Sequence, residues 1–133
     1  MFLISGSPGL FTMCNMDLDG HSANNSGFIV TTGGGGPYRF HSLQMTNNFI
    51  RGISPGGGDS FGLIDHCLFA NAAASGSYNN ISPQGNGYLS WLTTNPLGTT
   101  NACYIEDCSF VDAYTNGGNG FLDSYDGAQV VMR

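Results

Sequence analysis

Asp65 and Glu106 occupy the same point in two near-copies of one phrase, GLIDHCLFAN at residues 62–71 and CYIEDCSFVD at residues 103–112. If the copies stack and the longer stretch between them loops out without adding a coil, the two carboxylates lie about 4.8 Å apart, one interstrand step. Carboxylates that close share a proton or bind a cation. Ca²⁺ takes several oxygen ligands in flexible geometry, so it suits a set made of Asp65, Glu106 and the adjoining Asp107. The plainer alternative is solvated acids hydrogen-bonded to turn amides in polar kinks.

Which elements hold these groups follows from the recurrence of the phrase. It returns as YRFHSLQMTN at residues 38–47 and, more loosely, as FTMCNMDLDG at residues 11–20. The first inward apolar residue of each copy is Met13, Phe40, Ile64 and Ile105, and Met132 begins a fifth. The steps are 27, 24, 41 and 27 residues. Self-similarity at 20–50 residues marks a solenoid. An upstream strand precedes most markers: GFIVTT before Phe40, IRGI before Ile64, GFLDS before Met132 and, with a longer spacer, GYLSWL before Ile105. The long step contains an insert near residues 72–87, which reads as a loop. Each unit is therefore strand, Gly/Pro/Asn-rich turn, strand, kink, strand. No window sustains helical periodicity. The fold expected is all-β: one right-handed parallel β-helix domain over residues 1–133, of about five coils with three short strands each.

Stacked coils place like residues over like. Met13, Phe40, Ile64 and Ile105 form one inward ladder, and Leu18, Met45, Phe69 and Phe110 a second. Met16, Leu43, Cys67 and Cys108 stack at the kink. Two outward polar columns flank it: Cys14, His41, Asp65 and Glu106, then Asn15, Ser42, His66 and Asp107. Near the next turn Gly20, Asn47, Asn71 and Asp112 align, where side-chain amides can bond along the stack and to turn backbone.

Composition narrows the partners. Net charge is −6, and Arg39, Arg51 and Arg133 are the only basic residues apart from histidine. A surface that tracks phosphates needs clustered Lys and Arg, so nucleic acid is excluded as a partner, and anionic membrane is disfavoured. Only 9% of residues are charged, while 41% are hydrophobic. That balance, with polarity carried by Gly, Ser, Thr and Asn, fits a β-rich protein of the cell exterior, cell surface or virion surface. The opening MFLISGSPGL lacks the basic n-region and apolar length of a signal peptide. The ending GAQVVMR reads as a strand just beginning, which points to a piece of a longer solenoid whose exposed ends invite homo-oligomer stacking.

The phrases GLIDHCLF, YIEDCSF and DSYDGAQVVMR resemble right-handed parallel β-helix proteins of the pectin-lyase-like superfamily. IDHC is similar to the Asp-His motif on a strand of pectate lyases. The likeness covers nearly the whole chain at the level of the repeat and is specific for fold rather than activity. It implies a polysaccharide partner held in a groove along the upstream strand, and a Ca²⁺ that holds and acidifies a uronate. His66 of the motif then belongs with the substrate-binding residues. On that strand Arg51 would bind or deprotonate an acidic sugar, and Trp91 would stack on a sugar ring. Asp123 and Asp126, three apart around a turn, would serve as general acid and base or as cation ligands. Each has a plainer reading: a surface ion pair for Arg51, packing under the insert for Trp91, and a turn signal for Asp126-Gly127. The Asn-Thr-Asp and paired-Asp motifs of β-helix glycosidases are missing. Three arginines equip a lyase poorly for a highly charged polymer, so a neutral or weakly charged glycan suits the chain better.

The functional expectation is thus a carbohydrate-binding or polysaccharide-degrading β-helix, lyase- or glycosidase-like. The alternative is a non-catalytic structural or adhesive solenoid, such as a phage tail fibre or surface adhesin. Ice binding by a flat Thr array is a weak third reading, because it needs a regular column and the threonines do not recur at one repeat position. The four cysteines lack zinc-site spacing and are expected as reduced, small apolar rungs.

Overall fold

A computed structural model describes residues 2–5, 9–20, 29–32, 37–47, 51–56, 61–71, 79–85, 102–112 and 120–133. Eleven strands run through them: β1 (Phe2–Ser5), β2 (Phe11–Asp19), β3 (Ile29–Thr32), β4 (Tyr38–Thr46), β5 (Arg51–Pro55), β6 (Gly62–Asp65), β7 (Leu68–Asn71), β8 (Asn79–Ile81), β9 (Cys103–Glu106), β10 (Ser109–Asp112) and β11 (Val130–Met132). Among the described residues there is no helix. Every strand ladder is parallel, and the sheets curl into a half-barrel compatible with a β-solenoid.

The chain alternates between two sheets. One holds β1, β3, β5 and β8 in that order, extended by single bridges from Ile81 to Leu122 and from Gln84 to Tyr125. The other holds the phrase strands. There β2 pairs with β4, the first half of β4 pairs with β6, and its second half pairs with β7. β9 and β10 continue the two halves, and β11 lies beside β9. The register is the one the repeat predicts: Met13, Phe40, Ile64, Ile105 and Met132 are successive partners, as are Leu18, Met45, Phe69 and Phe110.

The kink has a backbone cause. Asn15, Ser42, His66 and Asp107, the same position in four copies, all have positive φ, between 50° and 54°. A left-handed residue turns a strand without interrupting the stack. Asn, Asp and His are the non-glycine types that enter that region most readily. Each copy therefore breaks direction at the same point, and the residue after the break, Leu43 in β4 or Cys67 after β6, is buried in the core.

Alternation then sorts the side chains. Phe40, Leu43, Met45, Ile64, Phe69 and Ile105 are completely or almost completely buried between the sheets, facing Ile29, Ile53 and Ile81 of the other sheet. Phe69 and Phe110 stack with centroids 5.1 Å apart and planes 8° from parallel. Gly62 must be glycine, because a Cβ there would meet the Tyr38 carbonyl and come within 2.5 Å of its ring. Tyr38 uses that space, 2% exposed and stacked on Phe40. The four cysteines are free thiols: Cys67 and Cys103 are buried, Cys108 is half-buried and Cys14 is exposed.

Two sequence expectations are corrected. The region near 72–87 is not a loop throughout. Asn79–Ile81 is a strand in register with Arg51 and Ile53, and the chain stays bonded to its neighbours as far as Gly85. The strand bonded next to β5 in the first sheet is NNI; GYLSWL, expected as the strand before Ile105, lies outside the described residues. Ile81 takes the inward place over Ile53, fully buried. β1, a strand not expected from the sequence, is the first strand of the same sheet and pairs with β3.

Candidate functional site

The outer face of β4 and β6 carries a compact polar cluster centred on Asp65. The strand period puts Arg39 and His41 on one side of β4 and Leu63 and Asp65 on the same side of β6, with His41 directly beside Asp65 in register. Arg39 grips the carboxylate with two bonds, Nε to Oδ1 at 3.1 Å and Nη2 to Oδ2 at 2.9 Å. Oδ2 also lies 2.7 Å from Nδ1 of His41 and 3.2 Å from Nδ1 of His66. His66 reaches back to the preceding residue because its positive φ folds the chain there. Nε2 of His41 is in turn 3.2 Å from Oγ of Ser42.

Covered on three sides, Asp65 is only 4% exposed. It is nevertheless held in its charged form. The hydrogen bonds from Arg39 lower its pKa most, burial opposes them, and the bond to His41 adds to the lowering, for a value of about 2. The same carboxylate raises the Arg39 guanidinium above its ordinary value. The result is a fixed anion with two imidazoles aimed at one oxygen, and both rings are open to solvent on one side.

Glu106 follows Asp65 in register, as the repeat predicts. The side chains do not form one acidic pair, however. Glu106 is paired with Arg133 and Asp65 with Arg39. Each acid has its own guanidinium, which removes the mutual repulsion that would call for a shared cation. Asp107 sits exposed at the kink, its amide bonded to the Arg133 carbonyl.

The residues assigned to the other sheet stand apart from this cluster. Asp123 accepts a hydrogen bond from Asn79 Nδ2 at 3.0 Å, and Asp126 accepts one from Gln84 Nε2 at 2.8 Å. The two acids are held by different amides of the neighbouring rung. Asp126 and Gly127 both have positive φ, the turn that the pair Asp-Gly signals. Arg51 opens β5 opposite Asn79. Its side chain, and Trp91 as a whole, lie outside the described residues.

Beside the Asp65 cluster runs a groove of about 630 Å³. Its floor is the outward row Arg39, Leu63 and Tyr104, which are successive partners across β4, β6 and β9. Leu10 and Phe61 line it, and Glu106 and Arg133 close one end. The Arg133 guanidinium lies 5.7 Å from the Tyr104 ring centroid. Sequence reasoning singled out neither Arg39 nor Tyr104 as functional. The available signal was the period of two: Arg39 precedes His41 on the same face, and Leu63 and Tyr104 are its partners in the next copies.

No family model, curated protein or solved structure matches the chain.

Proposed function

We propose that the chain is a right-handed parallel β-helix of about five coils, pectin-lyase-like in architecture, whose outer groove along Arg39, Leu63 and Tyr104 binds a glycan. The single observation that carries the function is the make-up of that groove. Leu63 and Tyr104 form an aliphatic and aromatic floor on two adjacent strands, flanked by Arg39 on one side and by Arg133 and Glu106 on the other. Sugar rings are amphipathic: their C–H faces stack on apolar and aromatic surface, while their hydroxyls need charged or polar partners at the margin. Three strands and the adjoining Arg133 span roughly three interstrand steps, about 14 Å, the length of a short oligosaccharide. The volume lies in the ordinary range for a ligand site.

Several features support the architecture. Alternating use of two parallel sheets, with equivalent residues in register, is how a β-helix winds. Parallel crossovers in one sheet are right-handed in nearly all proteins. The site proposed here is not the one expected on the upstream strand, where Asp123 and Asp126 each hold an amide. It lies on the phrase strands, beside Asp65. A calcium ion shared by Asp65, Glu106 and Asp107 would first have to displace Arg39 and Arg133.

The test is retention and turnover on a glycan array, with Ca²⁺ and with EDTA. The expected result is retention on a neutral or weakly charged polysaccharide that survives EDTA and falls at least tenfold in Tyr104→Ala and Leu63→Asp. Retention without product would identify a binding or adhesive module, the reading of the solenoid as fibre or adhesin. No retention and no product on any glycan would reject the proposal.

A further inference from the structure

Three features outside the groove remain unexplained by glycan binding: the second imidazole on Asp65, the paired thiols of Cys67 and Cys108, and the buried Asn79 Oδ1 and Ser82 Oγ, which have no hydrogen-bond partner among the described residues. The first carries furthest. We propose that His41, Asp65 and His66 form a binding site for a divalent transition-metal cation of the zinc type.

One ligand atom from each residue converges within 4.8 Å of the others. Two ligands at about 2.0–2.2 Å from one zinc ion stand roughly 3.0–3.5 Å apart. The separations from Asp65 Oδ2 to His41 Nδ1 and His66 Nδ1 are 2.7 and 3.2 Å, so small rotations of the rings admit an ion. The donor chemistry selects the metal. Two imidazoles and one carboxylate suit zinc and its first-row neighbours, whereas calcium requires oxygen donors.

The surrounding residues are placed as supports of such a site. A ligating carboxylate is usually hydrogen-bonded, and a ligating histidine usually donates its other N–H. Arg39 Nε holds Asp65 Oδ1, the oxygen not aimed at the imidazoles, while its Nη2 donates to Oδ2 and must yield part of that oxygen to an ion. His41 Nε2 faces Ser42 Oγ, so with Nδ1 on the metal its Nε2–H donates to the hydroxyl. The left-handed backbone at His66 exists to turn the strand, and it swings that ring over Asp65. The side chain of His66 is 60% exposed, which leaves the open side of the site to water or a ligand. Ser42, His41 and Asp65 also stand in the order of an acyl-transfer triad. That reading leaves the second imidazole on the same oxygen without a role, and a cation uses both.

The experiment is a Co²⁺ titration of the chelator-treated full chain, followed by visible absorption, with Zn²⁺ competition measured by calorimetry. Wild type should saturate at one equivalent with imidazole-type d–d bands that Zn²⁺ abolishes. His66→Asn keeps a residue suited to positive φ and removes one ligand. It should weaken Zn²⁺ binding by about tenfold or more, as should His41→Gln, with circular dichroism unchanged. Asp107→Asn should bind as wild type. Absence of saturable binding, or affinity unchanged in both histidine variants, would overturn the proposal. Neither result depends on whether the groove binds glycan.

Discussion

Replacing Phe69 by alanine removes a ring from the centre of the inward ladder. Phe69 is completely buried, between Met45 on one side and the stacked ring of Phe110 on the other. A phenylalanine buries roughly 150–250 Å², worth about 4–6 kcal/mol at about 25 cal/mol/Å². Residual burial in the unfolded chain trims that by roughly 10–40%. The loss expected for Phe69→Ala is therefore about 3–5 kcal/mol, within the range for large-to-small core changes. Phe110 is only half-buried and can lean into the void, which favours the lower end. For a chain of this size the change in melting temperature is roughly 4 °C per kcal/mol, so a fall of roughly 12–20 °C is expected. The control is Val111→Ala, one residue along the neighbouring strand but facing outward and 58% exposed; it should change stability by less than about 0.5 kcal/mol. Urea unfolding followed by circular dichroism measures both. A loss below about 1 kcal/mol in Phe69→Ala, or a larger loss in Val111→Ala, would refute the assignment of inward and outward faces.

Other expectations concern the polar face and the thiols. In chelator-treated protein, the Asp65 carboxylate, lowered from 3.8 to about 2, contributes about 2 kcal/mol of stability. That stability is fully present above about pH 4 and is lost as pH falls through about 2; Asp65→Asn should be destabilised at pH 7 by at least that amount, with the gap to wild type closing in acid. At the kink, Asp107→Ile should cost about 1–2 kcal/mol because a β-branched residue resists positive φ, whereas Asp107→Gly should be close to neutral by thermal melting. Thiol titration of the native protein should modify exposed Cys14 first. Cys67 and Cys103 should stay protected until unfolding. The bond to Cys108 and burial push the Cys67 thiol up, and burial pushes Cys103 up to about 11.

The inward ladders were legible in the sequence because two periodicities coincide there. Alternation of two sets the face, the repeat sets the register, and Phe40, Ile64 and Ile105 satisfy both. The polar site was only half legible. Like-over-like stacking correctly put Asp65 beside His41 and Glu106, since it describes backbone neighbours. Long side chains instead choose partners by charge, often on the diagonal. Arg39 lies opposite Leu63, yet its guanidinium reaches Asp65, two residues further along. The acid pair proposed from the columns therefore separated into two arginine pairs. In the long fourth unit the polar segment Asn79–Ile81 carried no strand signal of its own, yet it lies in the register that sets Ile81 over Ile53, and the bonds of Asn79 to Asp123 and Gln84 to Asp126 knit that rung to the next. β1 escaped notice because four apolar-leaning residues carry no repeat signal of their own.

Groove and cation site both rest on parallel, in-register stacking of successive copies of one phrase. Backbone nuclear Overhauser contacts among Phe40, Ile64 and Ile105 test this most directly. Parallel stacking gives interstrand contacts with the spacing of parallel strands, linking Ile64 to both others and Leu63 to Arg39 and Tyr104. Close Hα–Hα contacts of an antiparallel pair, or no contact between Ile64 and Ile105, would contradict it.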